Sequence, residues 1–432
     1  MKLLVVGGGG REHAIVWKLK RDAPSDAVFC APGNAGTDGP VANLPIAAED
    51  LPGLLAWARA NRPDLTVVGP EAPLCEGLVD AFEQAGLRAF GPSRAAARLE
   101  GSKIFAKDVM RSAGVPTARA AACGSAAEAR RALAEFGLPI VIKADGLAAG
   151  KGVSVCATRP EAEAAIERML VEGVFGRAGE RVLVEEFLDG EEASVLALVD
   201  GRACALLPAA QDHKRLLDGD RGPNTGGMGA YSPAPAVTAD VLDAVQRAVF
   251  APVVAEMARR GTPYRGVLYA GLMLTPAGLR VLEFNCRFGD PETQAILPRL
   301  DVPLAPLLAA CLDGTLRPGS VPARPDPCVS VVMAAAGYPA AVRKGDPIEG
   351  LERAAGRPGV MVFHAGTART DGRVCTAGGR VLAVTATGAN LPAALKRVYE
   401  ACGDIRFEGA QYRRDIAHRA LASGGKARQE GP

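Results

Sequence analysis

Val281-Leu282-Glu283-Phe284-Asn285-Cys286-Arg287-Phe288-Gly289-Asp290-Pro291-Glu292 reads as a buried strand running out into a polar loop. Side chains two apart on a strand share a face, so Glu283 and Asn285 point the same way. Two oxygen ligands on one face suit a hard divalent cation held against phosphates. Arg287 continues the register, and its planar fork matches a carboxylate or a phosphate. Taken alone, the segment also fits a strand end drifting into solvent. A second stretch argues against that: Pro139-Ile140-Val141-Ile142-Lys143-Ala144-Asp145-Gly146-Leu147-Ala148-Ala149-Gly150-Lys151-Gly152-Val153. An apolar run ends at Lys143, a glycine loop carrying Lys151 follows, and an apolar run resumes. Backbone N–H groups in such a loop can wrap phosphate oxygens, and the lysines add charge. It is not a Walker A loop, because Gly146 and Gly150 are too close and Gly152, not Ser or Thr, follows Lys151.

The 432 residues and their 48% hydrophobic share leave room for about two to four domains with their own cores. A formal net charge of +2 without any Lys/Arg run argues against a nucleic-acid partner. Ten cysteines are scattered without C-x-x-C pairs or nearby histidines. That argues against a zinc site and a disulfide framework, and fits a reducing, cytoplasmic setting. No apolar stretch approaches the length of a membrane span, and no signal-like segment opens the chain.

The first hundred residues alternate strands (Lys2 to Val6, Val28 to Ala31, Leu65 to Val68, Arg88 to Phe90) with helical stretches. This predicts an α/β fold opening with a parallel, Rossmann-like sheet, its ligand at the carboxyl ends of the strands. The obvious dinucleotide reading fails on detail. The glycine pattern meets Glu12 or His13 where a third glycine is needed, and no acid ends the second strand. A phosphate on the first helix N-terminus remains compatible. A connecting helix is expected over 100–114, with Lys107 as a solvated residue on it. His13 is read as capping or packing within the first helix, and Glu186 as facing away from Glu185. The long glycine-rich connection from Gln211 to Tyr231 is read as functional rather than casual. Four prolines between Pro318 and Pro327 mark a boundary before a small α+β unit.

Two lysines, a glycine loop, an acidic strand exit at Glu185 and the Glu283/Asn285 strand together resemble the ATP-grasp fold. Within it, Gly10-Arg11-Glu12-His13-Ala14, Ala31 to Thr37, Val68 to Leu74, Gln211 to Arg215, Gly222 to Pro233 and Glu283 to Gln294 resemble the phosphoribosylamine–glycine ligase (glycinamide ribonucleotide synthetase) family. The resemblance runs from Lys2 to about Arg419. It implies an N-terminal substrate domain over 1–102, an ATP-grasp domain over 103–322 with a lid near 120–190, a C-terminal α+β domain over 323–422, and a disordered tail over 423–432. It implies a carbon–nitrogen ligase of purine biosynthesis, using ATP with Mg²⁺ or Mn²⁺, glycine and 5-phosphoribosylamine, acting as a cytoplasmic monomer. The residues carry over by position. Lys103, Lys143, Gly150, Lys151 and Gly152 attend the phosphates. Glu185, Glu186, Phe187 and Leu188 form the adenine hinge, and Glu192 reaches the ribose. Glu283 and Asn285 hold metal. Arg287, Lys214 and Asp212 act in catalysis, and Gly9, Gly10, Asn34, Glu71, Gly229 and Arg287 bind substrate. His213 is expected to orient its loop rather than to act as acid or base. The strand Leu268 to Leu274 lacks the acidic metal ligand common in the wider fold. Rivals are an ATP-grasp carboxylase activating bicarbonate, a nicotinamide oxidoreductase and a nucleotide-binding regulator.

Overall fold

A computed structural model describes residues 1–148 and 151–426 of the chain. Strands β1 (Lys2–Gly7), β2 (Ala27–Pro32), β3 (Ala42–Asn43), β4 (Leu65–Val68) and β5 (Ala89–Phe90) form a parallel sheet in the order β3-β2-β1-β4-β5. Leu3, Leu4, Val5 and Val6 are all buried, as expected of a strand covered on both faces. The turns after β1, β2 and β4 therefore lie along one edge, as the alternation predicted.

The connecting helix is broken in two, Arg94–Gly101 and Lys103–Ser112. Ser102 causes the break: its backbone is extended and its hydroxyl accepts from Phe105 N, the chemistry of an N-cap. Beyond it, β6 (Ala120–Cys123), β7 (Ile140–Ala144), β8 (Val153–Cys156) and β9 (Val182–Glu186) make an antiparallel sheet in the order β6-β9-β7-β8. Its helices start at Ser125 and at the Thr158/Glu161 capping box. This sheet has its own apolar core, built on Leu133, Ile140, Ile142, Ile166 and Val184, so it is a separate layer over the stretch expected to form a lid.

The central sheet is β17 (Gly278–Asn285), β16 (Arg265–Thr275), β10 (Glu191–Asp200), β11 (Cys204–Leu206) and β18 (Gly319–Ser320), in that order. The C-terminal sheet runs β12 (Gln211–Asp212), β15 (Gly229–Ser232), β19 (Cys328–Ala334), β23 (Arg380–Thr387) and β20 (Val360–His364). Two of its strands thus come from the 211–232 connection, far upstream of the proline-marked boundary. Tyr231 is buried in the C-terminal core with Val329, Val331 and Val384, which ties that connection to the last domain. Two small hairpins complete the strands, β13 (Arg215–Leu217) with β14 (Arg221–Asn224), and β21 (Thr367–Thr370) with β22 (Arg373–Thr376). The final helix, His418–Lys426, takes in Ser423 to Lys426, which the sequence reading placed in a disordered tail; 427–432 lie outside the described residues. Among the described residues no helix is long and apolar enough to cross a membrane.

Candidate active site

A cleft of about 740 Å³ opens between the lid, the central sheet and the edges of the outer domains. Its floor is β17. A register shift there sets Glu283 opposite Gly271 while Val281 faces Leu272. The extra residue, Leu282, breaks the alternation, so Leu282, Glu283 and Asn285 all line the cleft while Val281 stays in the core. Burial opposes ionisation of Glu283, but Lys214, Lys143, Lys103 and Arg287 outweigh it and hold the carboxyl below its ordinary range. Asn285 Oδ1 accepts from Arg287 at 3.3 Å. No group of three or more His, Cys, Asp or Glu side chains converges as a metal cage among the described residues. Two hard oxygens beside phosphate-attracting lysines fit a divalent cation completed by phosphate and water oxygens.

Lys143 rises from β7 into the same space. Its Nζ lies 2.9 Å from Glu185 Oε2 and donates to Leu282 O at 3.2 Å. Burial lowers its basicity, but Glu185 and Glu283 outweigh that and raise it. Lys103, at the start of its helix, donates to Gly146 O at 3.2 Å, and burial leaves it below the usual lysine range. Lys107 is not solvated. It is 7% exposed, donates to Thr117 Oγ1 at 2.7 Å and Ala118 O at 3.1 Å, and lies 3.2 Å from Glu185 Oε1. Glu185 on β9 reaches the helix face that carries it, which overrides the expectation of solvent. Glu186 does turn away, to Arg119 at 2.7 Å. Ala106, Met110, Val141 and Leu282 form an apolar slot beside Glu185 to Leu188.

Lys214 sits at the centre, 3.3 Å from Glu192, 3.7 Å from Asp212 and 3.9 Å from Glu283. Burial, with Glu292 and Glu192 nearby, outweighs Lys214 and pushes the Asp212 carboxyl up to about 7. Glu292 is buried and accepts from Ser194 Oγ at 3.2 Å and Tyr269 OH at 3.1 Å. Arg287 closes the far end. Its fork meets Glu100 at 3.0 Å and Glu71 at 3.3 Å. Glu100 is fixed in turn by the Cys286 N–H at 2.7 Å. Arg11 joins them, bonded to Phe288 O at 3.2 Å.

The glycine turns behave differently from the expectation. Glu12 folds back so that its Oε2 accepts from Gly9 N at 2.7 Å, filling the helix N-terminus that a phosphate could have used. Gly69 makes room for it, since a Cβ there would lie 2.1 Å from Glu12 Oε1. Gly9 and Gly10 pack towards Asp290 and Gln294 and do not line the cleft. Asn34 is consumed by structure: it donates to Gly8 O and His364 O and accepts from Gly36 N and Thr37 N. Gly229 lies inside β15 against Ser330 and Ile416; Gly226 reaches the cleft instead. Lys151 is exposed, Gly152 lines the cleft, and Gly150 lies outside the described residues. His213 Nε2 accepts from Ala417 N at 2.9 Å, the expected orienting role. His13 reaches further than expected, accepting from His364 N at 2.8 Å, because helix Gly10–Asp22 packs on β20. Glu100, Lys107, Arg11 and Glu292 were missed by the sequence reading.

Residues 1–100, 101–293 and 328–419 match the N domain, the ATP-grasp (A) domain and the C domain of phosphoribosylglycinamide synthetase. A phosphoribosylamine–glycine ligase of Rhodopirellula baltica is 51% identical, over 98% of this chain and 99% of its own length. That of Pseudomonas aeruginosa is likewise 51% identical over 98% and 99%. The crystal structure of the Thermotoga maritima ligase superposes with a TM-score of 0.84 at 36% identity, covering 96% of this chain and all of that one. The Campylobacter jejuni biotin carboxylase, at 15% identity, a TM-score of 0.71 and coverage of 96% and 93%, shares the fold.

Proposed function

The chain belongs to the phosphoribosylglycinamide synthetase family, and from that membership we propose that it joins glycine to 5-phosphoribosylamine with ATP, giving glycinamide ribonucleotide, ADP and phosphate in purine biosynthesis. The observation that carries the reading is the meeting of Glu283, Asn285, Lys103, Lys143 and Lys214 in one cleft, in a chain aligned end to end with such ligases. Glycine's carboxylate oxygen attacks the γ-phosphorus, the β–γ bridge breaks and ADP leaves. The amine of phosphoribosylamine then attacks the carbonyl of glycyl phosphate, phosphate leaves, and the amine gives up a proton. The protein's part is placement and charge. Lys103 and Lys143 neutralise the phosphates, and the Glu185 to Leu188 strand exit takes the adenine. Glu192 takes the ribose, and Lys214 orients the acyl phosphate. Arg287 orients an anionic substrate group. Glu283 and Asn285 would hold Mg²⁺ or Mn²⁺, which would supply a Lewis acid for the phosphates. We read it as a monomer acting in the cytoplasm, a reducing setting that suits its ten free thiols.

The test is ADP release with ATP and Mg²⁺, adding glycine and freshly generated phosphoribosylamine singly and together. ADP formation needing both, with the product's mass, establishes the reading. Bicarbonate replacing glycine moves the protein to the carboxylases. Nucleotide binding without ADP under any condition makes it a regulator.

A further inference from the structure

The β13–β14 hairpin stands alone. Among the described residues it pairs with no other strand, and Leu217, Gly219, Arg221, Gly222 and Pro223 are exposed. A lone two-stranded hairpin is marginal in water. Yet it forms a wall of the cleft through Arg215, Asp220 and Asn224, and its base is Lys214, whose carbonyl accepts from Thr225 N at 2.7 Å.

What holds it comes from the end of the chain. Arg413 has a side chain that is 0% exposed. It forks onto Asp415 at 2.7 Å, reaches Asp220 Oδ1 at 2.8 Å and caps Arg215 O at 3.2 Å. Asp415 accepts from Gly219 N and Asp218 from Arg414 N, each at 2.8 Å. Arg419 lies 2.6 Å from Asp220, and Ala417 N donates to His213 beside Lys214. The 413–417 strip is itself fastened by Tyr399, which donates to Arg413 O at 3.1 Å and accepts from Ile416 N at 3.0 Å. Asp220 and Ala417 hold φ of 54° and 65°, left-handed backbone that persists where the surroundings impose it.

We propose that residues 413–419 are a latch that sets the 215–224 hairpin against the cleft, with Arg413 the positioning residue for Lys214. This rests on the ligase reading. A buried arginine with two carboxylates is a costly element to keep for stability alone, and these contacts converge on a hairpin that no sheet supports. None of the latch's hydrogen bonds or ion pairs reaches Lys103 or Lys143, which bond to Gly146, Leu282 and Glu185. Freeing the hairpin therefore disturbs chemistry more than nucleotide binding.

The experiment compares wild type with Arg413→Met, Arg413→Lys and Asp220→Asn. Each is measured for kcat, KM for ATP, nucleotide sites per chain, and trypsin cleavage between Lys214 and Arg221. A misplacement of about 1 Å costs on the order of 100-fold in rate. The latch predicts a kcat loss approaching that in Arg413→Met, full nucleotide stoichiometry, a nearly constant KM for ATP, partial rescue in Arg413→Lys, and faster hairpin cleavage. The double variant Arg413→Lys/Asp220→Asn should be no worse than its more severe parent. Unchanged kcat, or a loss matched by lost nucleotide sites, overturns the latch. If Arg413→Met fails to fold, Asp220→Asn, at a partly exposed site, decides the question by the same readouts. Absence of ligase turnover in wild type sinks the ligase reading instead, and hairpin cleavage still decides the latch.

Discussion

Replacing Lys107 by methionine separates the structure from the simplest reading of its helix. The ammonium donates to Thr117 Oγ1 at 2.7 Å and Ala118 O at 3.1 Å and pairs with Glu185 Oε1 at 3.2 Å. Breaking a buried ion pair costs about 3–5 kcal/mol when the partner is stranded. Glu185 is not stranded, because Lys143 stays 2.9 Å away, so the lower end applies. Thr117 keeps its own bond to Val281 O at 2.6 Å, while the Ala118 carbonyl loses a donor. A total of roughly 3 kcal/mol follows, which for a large domain is roughly 6–12 °C in the first unfolding transition. Nucleotide affinity should fall too. Lys143 is then left to balance a buried carboxylate that two lysines had shared, and drawing it towards a phosphate exposes that charge. If half the loss appears in binding, Kd for ATP weakens about tenfold. Calorimetric titration and thermal unfolding read both effects, with Lys396→Met, 79% exposed in its side chain, as the control. Lys107→Met behaving like Lys396→Met would refute the reasoning and return Lys107 to the solvated face.

Glu283→Gln or Asn285→Ala removes one of two protein oxygens for the metal. Each should raise the Mg²⁺ concentration for half-maximal activity and lower kcat on the order of 100-fold; an unchanged Mg²⁺ titration refutes the assignment. Gly229→Ala should lose about 1–3 kcal/mol from overpacking, since its Cβ would lie 2.6 Å from Ser330 O, with nucleotide affinity intact. Intact stability with a raised KM for glycine or phosphoribosylamine would restore Gly229 to the substrate site. Burial holds His13 down to about 3 and His213 and His364 down to about 4. The folded state then binds fewer protons than the unfolded one, so each histidine costs stability as pH falls from about 6.5 towards its folded value, by up to about 1.4 kcal/mol per unit. The Asp212 carboxyl, raised by burial, has the opposite sign. Comparing His13→Gln with wild type isolates one histidine: the variant's urea stability should fall less steeply between pH 6 and 4.5, and parallel curves would reject the account.

The parallel sheet, the lid hairpin and the Glu283/Asn285 face were legible because each rests on a short period and on residue types with few alternative uses. Lys143 was legible for the same reason, a charge ending an apolar run. Lys107 was not, because a lysine on an amphipathic helix looks alike whether its face meets water or a carboxylate from a strand far along the chain. Gly229 was read as substrate-binding because the glycines of a binding loop and of a tight strand crossing look the same. One makes room for a ligand, the other for Ser330. The β12 and β15 strands escaped because a domain assembled from separated segments leaves no boundary in a linear reading. Glu100 gave no signal at all: its role exists only through Arg287 and the Cys286 N–H, both distant in sequence.

The cleft balances its own charge. Lys143 is engaged with Glu185, Lys214 with Glu192, Asp212 and Glu283, and Arg287 with Glu71 and Glu100. Without these carboxylates, burial would press Lys143 and Lys214 towards their neutral forms. With them, each cation is held charged and aimed before a phosphate arrives. Binding is then an exchange of anions, and the gain is the difference between a phosphate and a resident carboxylate. Glu71 and Glu192, about one-third exposed in their side chains, can yield to a ligand, whereas Glu100 and Glu185, nearly fully buried, cannot leave. The buried pair fixes where the cations stand, and the exposed pair decides what may replace it. A ligand that supplies anionic oxygen at only one of these places displaces one carboxylate and leaves the others in position, so complete charge exchange waits for nucleotide, metal and substrate together.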